Sequence, residues 1–288
     1  MIFYLLSNLF ILINTIIRTL FPKIKLSNNM NIYYYNYNEV KILDDEIIKQ
    51  NVYNEDKLIT RDNPIIIDIG SNIGLFSAKI LNKYPKAIVH AIEPIEELQK
   101  ITENNLQLYN NESKSYQYAI GSINEFIDIN FIRLVSFGSE KKNIHRPLIK
   151  NIMDACYNKY SKNYLYKFVY YLYCIYYKII NKSIINQRVV CIKLKDFINN
   201  ILNNDIIDLI KIDVEGMEYD VISSLTENEL KKIKNIVIEI EDNDTSDKIE
   251  QFFINKDFES SISYNKIFND IDVRIKILTL TNKKYLKL

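Results

Sequence analysis

At 288 residues, 48% hydrophobic and 25% charged, the chain can bury one sizeable core with appendages, an ordinary globular composition. Its 37 basic against 36 acidic residues leave a formal net charge of +1, which implies no general electrostatic attraction to nucleic acid. Three cysteines (Cys156, Cys174, Cys191) without a C-x-x-C and two histidines (His90, His145) support neither a disulfide framework nor a zinc site, and they fit a reducing, cytoplasmic compartment.

The first 21 residues are strongly apolar, but the apolarity has sides. At 100° per residue, Ser7, Asn8, Asn14, Thr15, Arg18 and Thr19 share one face, and Leu5, Leu6, Leu9, Leu12, Ile13, Ile16, Ile17 and Leu20 take the other. That is an amphipathic helix. A spanning helix would be apolar all round, and a secretory signal would have a basic start and a small-residue cleavage site. The apolar face is expected to pack on the chain's own domain or a twin subunit. A membrane interface is the alternative, kept alive by Arg18, Lys23 and Lys25. Residues 1–60 read as this helix and a lead-in, and 61–288 as the main domain.

Ile65-Ile66-Ile67-Asp68-Ile69-Gly70-Ser71-Asn72-Ile73-Gly74 then reads as a buried parallel strand delivering its backbone to a ligand at its carboxyl end. A dinucleotide fingerprint needs G-x-G-x-x-G, and Asn72 stands where its middle glycine would be, so no pyrophosphate site is indicated. No P-loop motif occurs anywhere. A helix from about Ile73 to Lys83 follows, then a second buried strand, 87–93. Glu93 at its tip, 25 residues beyond Asp68, is placed to accept hydrogen bonds from both ribose hydroxyls of an adenosine ligand. Pro94 opens a helix running to about Leu108, where a missing N–H does no harm.

Strands are predicted at Tyr116–Ile120 and Phe126–Phe131, and the segment from about Glu140 to Gln187 is an insertion. Nine of the 22 tyrosines fall between Tyr157 and Tyr177, where the longest uncharged run is too short to span a bilayer. A lid or acceptor-site wall is the favoured reading, against a dimer surface or a membrane-interface contact. Beyond it come a strand at Val189–Leu194, a short helix from Asp196, strand Ile206–Ile212, a helix near Met217–Leu225, strand Ile236–Ile240, helix Thr245–Asn255, and a strand pair, 258–264 and 271–277. Strands alternating with helices and finishing as a hairpin predict an α/β fold, a mostly parallel sheet with an antiparallel edge.

The D-x-G turn with Glu93 resembles the class I S-adenosylmethionine-dependent methyltransferases. Asp208-Leu209-Ile210-Lys211-Ile212-Asp213-Val214-Glu215-Gly216-Met217-Glu218 narrows this, being similar to the fourth-strand signature of the FkbM family. The likeness runs from about Ile65 to Glu239. It implies a Rossmann-like seven-stranded sheet of order 3-2-1-4-5-7-6 and S-adenosylmethionine as cofactor, held by Asp68, Gly70, Asn72, Gly74, Glu93, Ala119 and Ile120. It also implies an O-methyl transfer to a hydroxyl of a saccharide, as in polysaccharide biosynthesis, or of a related metabolite.

An alcohol must lose its proton as the new bond forms, so a carboxylate within reach is needed. Asp213, Glu215 and Glu218 cluster past the fourth strand and Glu239 ends the fifth; mutual repulsion should raise at least one pKa. Asp213 is the first choice of base, Glu215 the second, Glu239 and His145 the reserves. A structural role, capping the next helix or holding Lys211, stands beside the catalytic one for Asp213 and Glu215. No metal is expected, for histidine support is missing. The expected partner is a small-molecule or glycan acceptor, with no nucleic acid, while a homodimer stays open. The rivals are a nitrogen acceptor on RNA or protein, and a non-catalytic binding or scaffold subunit.

Overall fold

The computed structural model describes residues 2–133, 137–139, 174–175, 178–179, 182–202, 205–240, 243–264 and 276–286. His145, Cys156 and most of the predicted tyrosine-rich insertion lie outside the described residues. The chain opens with α1 (Ile2–Leu20), a small antiparallel pair β1 (Lys23–Lys25) and β2 (Asn31–Tyr33), then α2 (Tyr37–Leu43), which runs into a π-helical stretch, Asp44–Lys49.

The core is a doubly wound unit. Strand β3 (Ile65–Ile69) leads to α3 (Leu75–Lys83), β4 (Ile88–Ile92) to α4 (Glu96–Gln107), and β5 (Lys114–Tyr116) to β6 (Ala119–Gly121). Then come β7 (Phe126–Ile132), β8 (Phe137–Ser139), β9 (Ile184–Lys193) and α5 (Leu194–Ile201). The chain continues through β10 (Ile207–Ile212), α6 (Glu218–Ser223), α7 (Glu227–Leu230), β11 (Ile233–Ile240), α8 (Asn243–Phe253), β12 (Phe258–Tyr264) and β13 (Lys276–Asn282). The large sheet has the order β12-β13-β11-β10-β3-β4-β5, parallel except for β13, which runs antiparallel to both its neighbours. This is the predicted strand order read from the other edge, a class I Rossmann-like methyltransferase fold.

Because side chains alternate across a strand, each central strand feeds two cores. Ile67, Ile69, Ile210, Ile212, Ile236 and Ile238 pack with α5, α6 and α8 on one face. Ile66, Leu209 and Val237 pack on the other with α3, α4 and the lead-in residues Ile32, Tyr35, Ile47 and Tyr53. The lead-in is therefore part of the domain. Asn105 of α4 pins it there, accepting from Tyr33 N at 2.7 Å and donating to the carbonyls of Tyr33 at 2.9 Å and Ile73 at 2.6 Å.

Three expectations need correction. The strand predicted at Tyr116–Ile120 is two strands, broken where Tyr118 N turns back onto the Tyr116 carbonyl, so that β5 closes the large sheet and β6 leaves it. β6 pairs instead with β9 in a second sheet, β6-β9-β7-β8, whose β7–β9 ladder begins at Ile184, inside the predicted insertion. The last strand is Lys276–Asn282 rather than 271–277, of which 271–275 lie outside the described residues. Finally, α1 forms as expected but sits the other way round. Ser7 is fully buried and Arg18 stacks on Tyr35 at 4.9 Å, while Leu9 is 51% and Leu20 67% exposed. The apolar face does not pack on the described part of its own domain.

Candidate active site

The turn after β3 takes the left-handed backbone conformation three times, at Gly70 (φ 73°), Asn72 (φ 52°) and Gly74 (φ 73°). Two of these positions admit only glycine, for reasons of space as well. A Cβ on Gly70 would lie 1.8 Å from the carbonyl oxygen of Asp213, and one on Gly74 would lie 2.8 Å from Thr102 Cγ2. Gly70 thus lets the loop after β10 lie on the turn after β3, and Gly74 lets α4 close on α3. The Gly70 and Ser71 N–H groups both donate to the Ile92 carbonyl at 3.0 Å, tying the turn to the end of β4.

Glu93, the next residue, is buried and accepts from Asn72 N at 2.9 Å and Ile95 N at 3.0 Å, one bond to each oxygen. Burial pushes its carboxyl up to about 7, against the pull of those two N–H groups. Each oxygen keeps a lone pair for another donor.

Beside these groups opens a cavity of about 280 Å³, with Ile92, Ile95, Leu98 and Ile120 as apolar wall. Gly70, Asn72, Glu93, Ala119 and Ile120, predicted to hold the cofactor, line it, as do Asp213 and Glu215. Asp68 and Gly74 do not. Asp68 lies wholly buried behind the turn, accepting from Ser77 Oγ at 2.6 Å and facing Lys211 Nζ at 3.5 Å; burial raises its pKa while Lys211 and Ser77 oppose the rise.

The sheet's alternation explains the electrostatics. Register pairs Lys211 with Asp68 on one side and Val237 on the other, so Asp68, Lys211 and Glu239 project from one face of three adjacent strands. Lys211 is buried and its ammonium lies 3.1 Å from Asp213 Oδ2 and 3.0 Å from the Gly70 carbonyl, to which it donates. Burial works against this charge, yet Asp213 and Asp68 hold it protonated well above the usual lysine range.

Sequence reasoning missed the residue that joins the acids. Buried Tyr53, from the lead-in, places its hydroxyl 3.0 Å from Glu239 Oε2 and 3.3 Å from Asp213 Oδ2, its ring against Phe76 at 5.4 Å. Burial first, then Glu239, Asp213 and Glu46, push this phenol well above its ordinary pKa. Glu239 sits behind Tyr53, away from the cavity wall, and burial with Asp213 and Glu46 nearby holds its carboxyl far above the usual range. Nothing local marks Tyr53, which is 160 positions from Asp213. Glu215 has a left-handed backbone (φ 59°), and buried Glu218 turns inward to accept from Gly216 N at 2.7 Å. Glu218 organises the loop and Asp213 faces the cavity.

A profile of the methyltransferase FkbM domain matches residues 68–260. The chain is 25% identical over 213 residues to the AMB antimetabolite synthetase AmbE of Pseudomonas aeruginosa, covering 72% of this chain and 10% of that protein. It therefore spans about a tenth of that relative. To Methyltransferase 1 of Beauveria bassiana it is 24% identical over 231 residues, 77% of this chain and 82% of that one. Among solved structures, an rRNA methylase from Streptococcus thermophilus superposes with a TM-score of 0.44 at 10% identity, over 82% of this chain and 96% of that one.

Proposed function

We propose that this chain, which belongs to the FkbM family of methyltransferases, O-methylates a hydroxyl of a saccharide or a related small metabolite. The single observation that carries the reading is Asp213, a carboxylate on the wall of the cavity, ion-paired at its back to a buried lysine. The cavity suits S-adenosylmethionine, the family's cofactor. Glu93 has acceptor capacity for two ribose hydroxyls, the isoleucine and leucine wall suits a purine, and carboxylates stand at the far side, where a sulfonium and an acceptor would meet. Bound there, the cofactor supplies an electrophilic methyl group.

The protein's own groups then have distinct tasks. Asp213 takes the proton of the acceptor hydroxyl, and Lys211 keeps Asp213 ionised and fixed in place. Tyr53 has one proton for two carboxylates. With Glu239 protonated, the network runs from the Glu239 carboxyl through the Tyr53 hydroxyl to Asp213, every polar atom partnered. The likeness to an antimetabolite synthetase supports a small hydroxylated metabolite alongside the saccharide as acceptor. Incubating the protein with cofactor and panels of hydroxylated glycans and small metabolites should yield products heavier by one methylene, with fragmentation placing it on oxygen. Methylation found only on nitrogen would overturn the reading.

Cofactor affinity should depend on pH through Glu93. Its carboxyl, held near 7, must be ionised to accept two hydroxyl donors, so binding strengthens as pH rises through 7 and levels off above. Calorimetry should give a dissociation constant about tenfold larger at pH 6 than at pH 8. A flat profile would remove Glu93 from ribose recognition. The unliganded protein should move oppositely, losing stability as pH climbs from about 4.3, the unfolded value, through 7, because the folded state then buries a charge.

A further inference from the structure

The outward face of α1 is the largest feature the proposed chemistry does not use. Leu5, Leu9, Leu12, Ile16, Leu20 and Phe21 are all exposed along it, whereas the inner side carries buried Ser7 and the Arg18 guanidinium stacked on Tyr35. A helix facing water would do the reverse. The exposed Thr15 and Thr19 hydroxyls donate to the carbonyls of Ile11 and Thr15 at 2.8 Å, so neither requires water, as suits an apolar surrounding. Charge distinguishes the occupants. Residues 1–38 contain no aspartate or glutamate and three cations, Arg18, Lys23 and Lys25, the two lysines exposed directly beyond the helix. The same patch on a second copy of the chain would offer those cations no carboxylate.

We propose that α1 lies in the interface of an anionic lipid bilayer, its outer side chains among the upper acyl carbons and Lys23 and Lys25 on lipid phosphates. No helix among the described residues is long and apolar enough to cross a membrane. The inner side of α1 meets Glu97 in the first turn of α4, one residue before Leu98 of the cavity wall, so membrane-bound protein would hold its cavity close to the surface.

Flotation of the purified full chain with phosphatidylcholine vesicles, with and without phosphatidylglycerol, tests this. The protein should float with the anionic vesicles. Lys23→Glu and Lys25→Glu should each weaken partitioning roughly fivefold, and Leu12→Glu with Ile16→Glu should weaken it about tenfold or more. Unchanged cofactor affinity in every variant shows that the fold is intact. Absence of flotation, or equal flotation on phosphatidylcholine alone, would overturn the proposal. So would a dimer that Leu12→Glu splits, which would make a second copy the occupant, or vesicle-bound protein that resists an alkaline, high-salt wash, which would mark a spanning segment.

Discussion

Asp213→Asn should lower turnover by roughly 10²–10⁴-fold while cofactor affinity changes little. The amide keeps the shape of the side chain and can still accept from Lys211 Nζ, 3.1 Å away, and from Tyr53, but it cannot take the acceptor's proton. The loss should therefore fall on turnover. Single-turnover methylation, with calorimetry for the cofactor, separates the two quantities. Tyr53→Phe should be milder, because the carboxylate remains and loses only a hydrogen bond and the link to Glu239. Near-normal turnover in Asp213→Asn would move the base to Glu215 or Glu239.

Lys211→Met should destabilise the fold by about 3–5 kcal/mol, the usual cost of removing one partner from a buried ion pair. The ammonium stands between Asp68, which is wholly buried, and Asp213, and no other cation is paired with either among the described residues. Without it, two carboxylates share a site that desolvates one of them. Urea unfolding at pH 7 measures the loss. The loss should shrink on acidification, because burial already raises the Asp68 pKa and the proton it then takes up removes the unpaired charge. A loss below about 1 kcal/mol, or one independent of pH, would mean that water reaches the site and screens it.

The parts of the site legible in the sequence are those whose physics is local. A β-branched run followed by Gly70 and Gly74 announces a strand and a tight turn, and an acid ending the next run announces Glu93, because strand period and backbone conformation are properties of a few consecutive residues. The family signature around Asp213 is local in the same way. Tyr53 was not legible. It precedes the matched motifs, and its hydroxyl gains meaning only because sheet register puts Asp213 beside Glu239 and the lead-in covers that face.

The amphipathic period of α1 was also written in residues 1–21, but its orientation was not. Periodicity says that a helix has two sides. Which side the domain receives depends on what the domain offers, here Tyr35, Glu97 and Arg133, a polar rim that takes Asn14 and Arg18 inward and leaves the leucines outside. The break between β5 and β6 has the same origin, since residues 114–121 form one extended run until β9, more than 60 positions later, claims its second half. The sequence by itself determined the strand order, the glycine turn, Glu93 and the acids near β10, because each follows from short-range pattern. Tertiary structure alone decided which acid faces the cavity, which lysine and tyrosine hold it, and which face of α1 remains free, because those depend on contacts between segments whose separation along the chain carries no local signal.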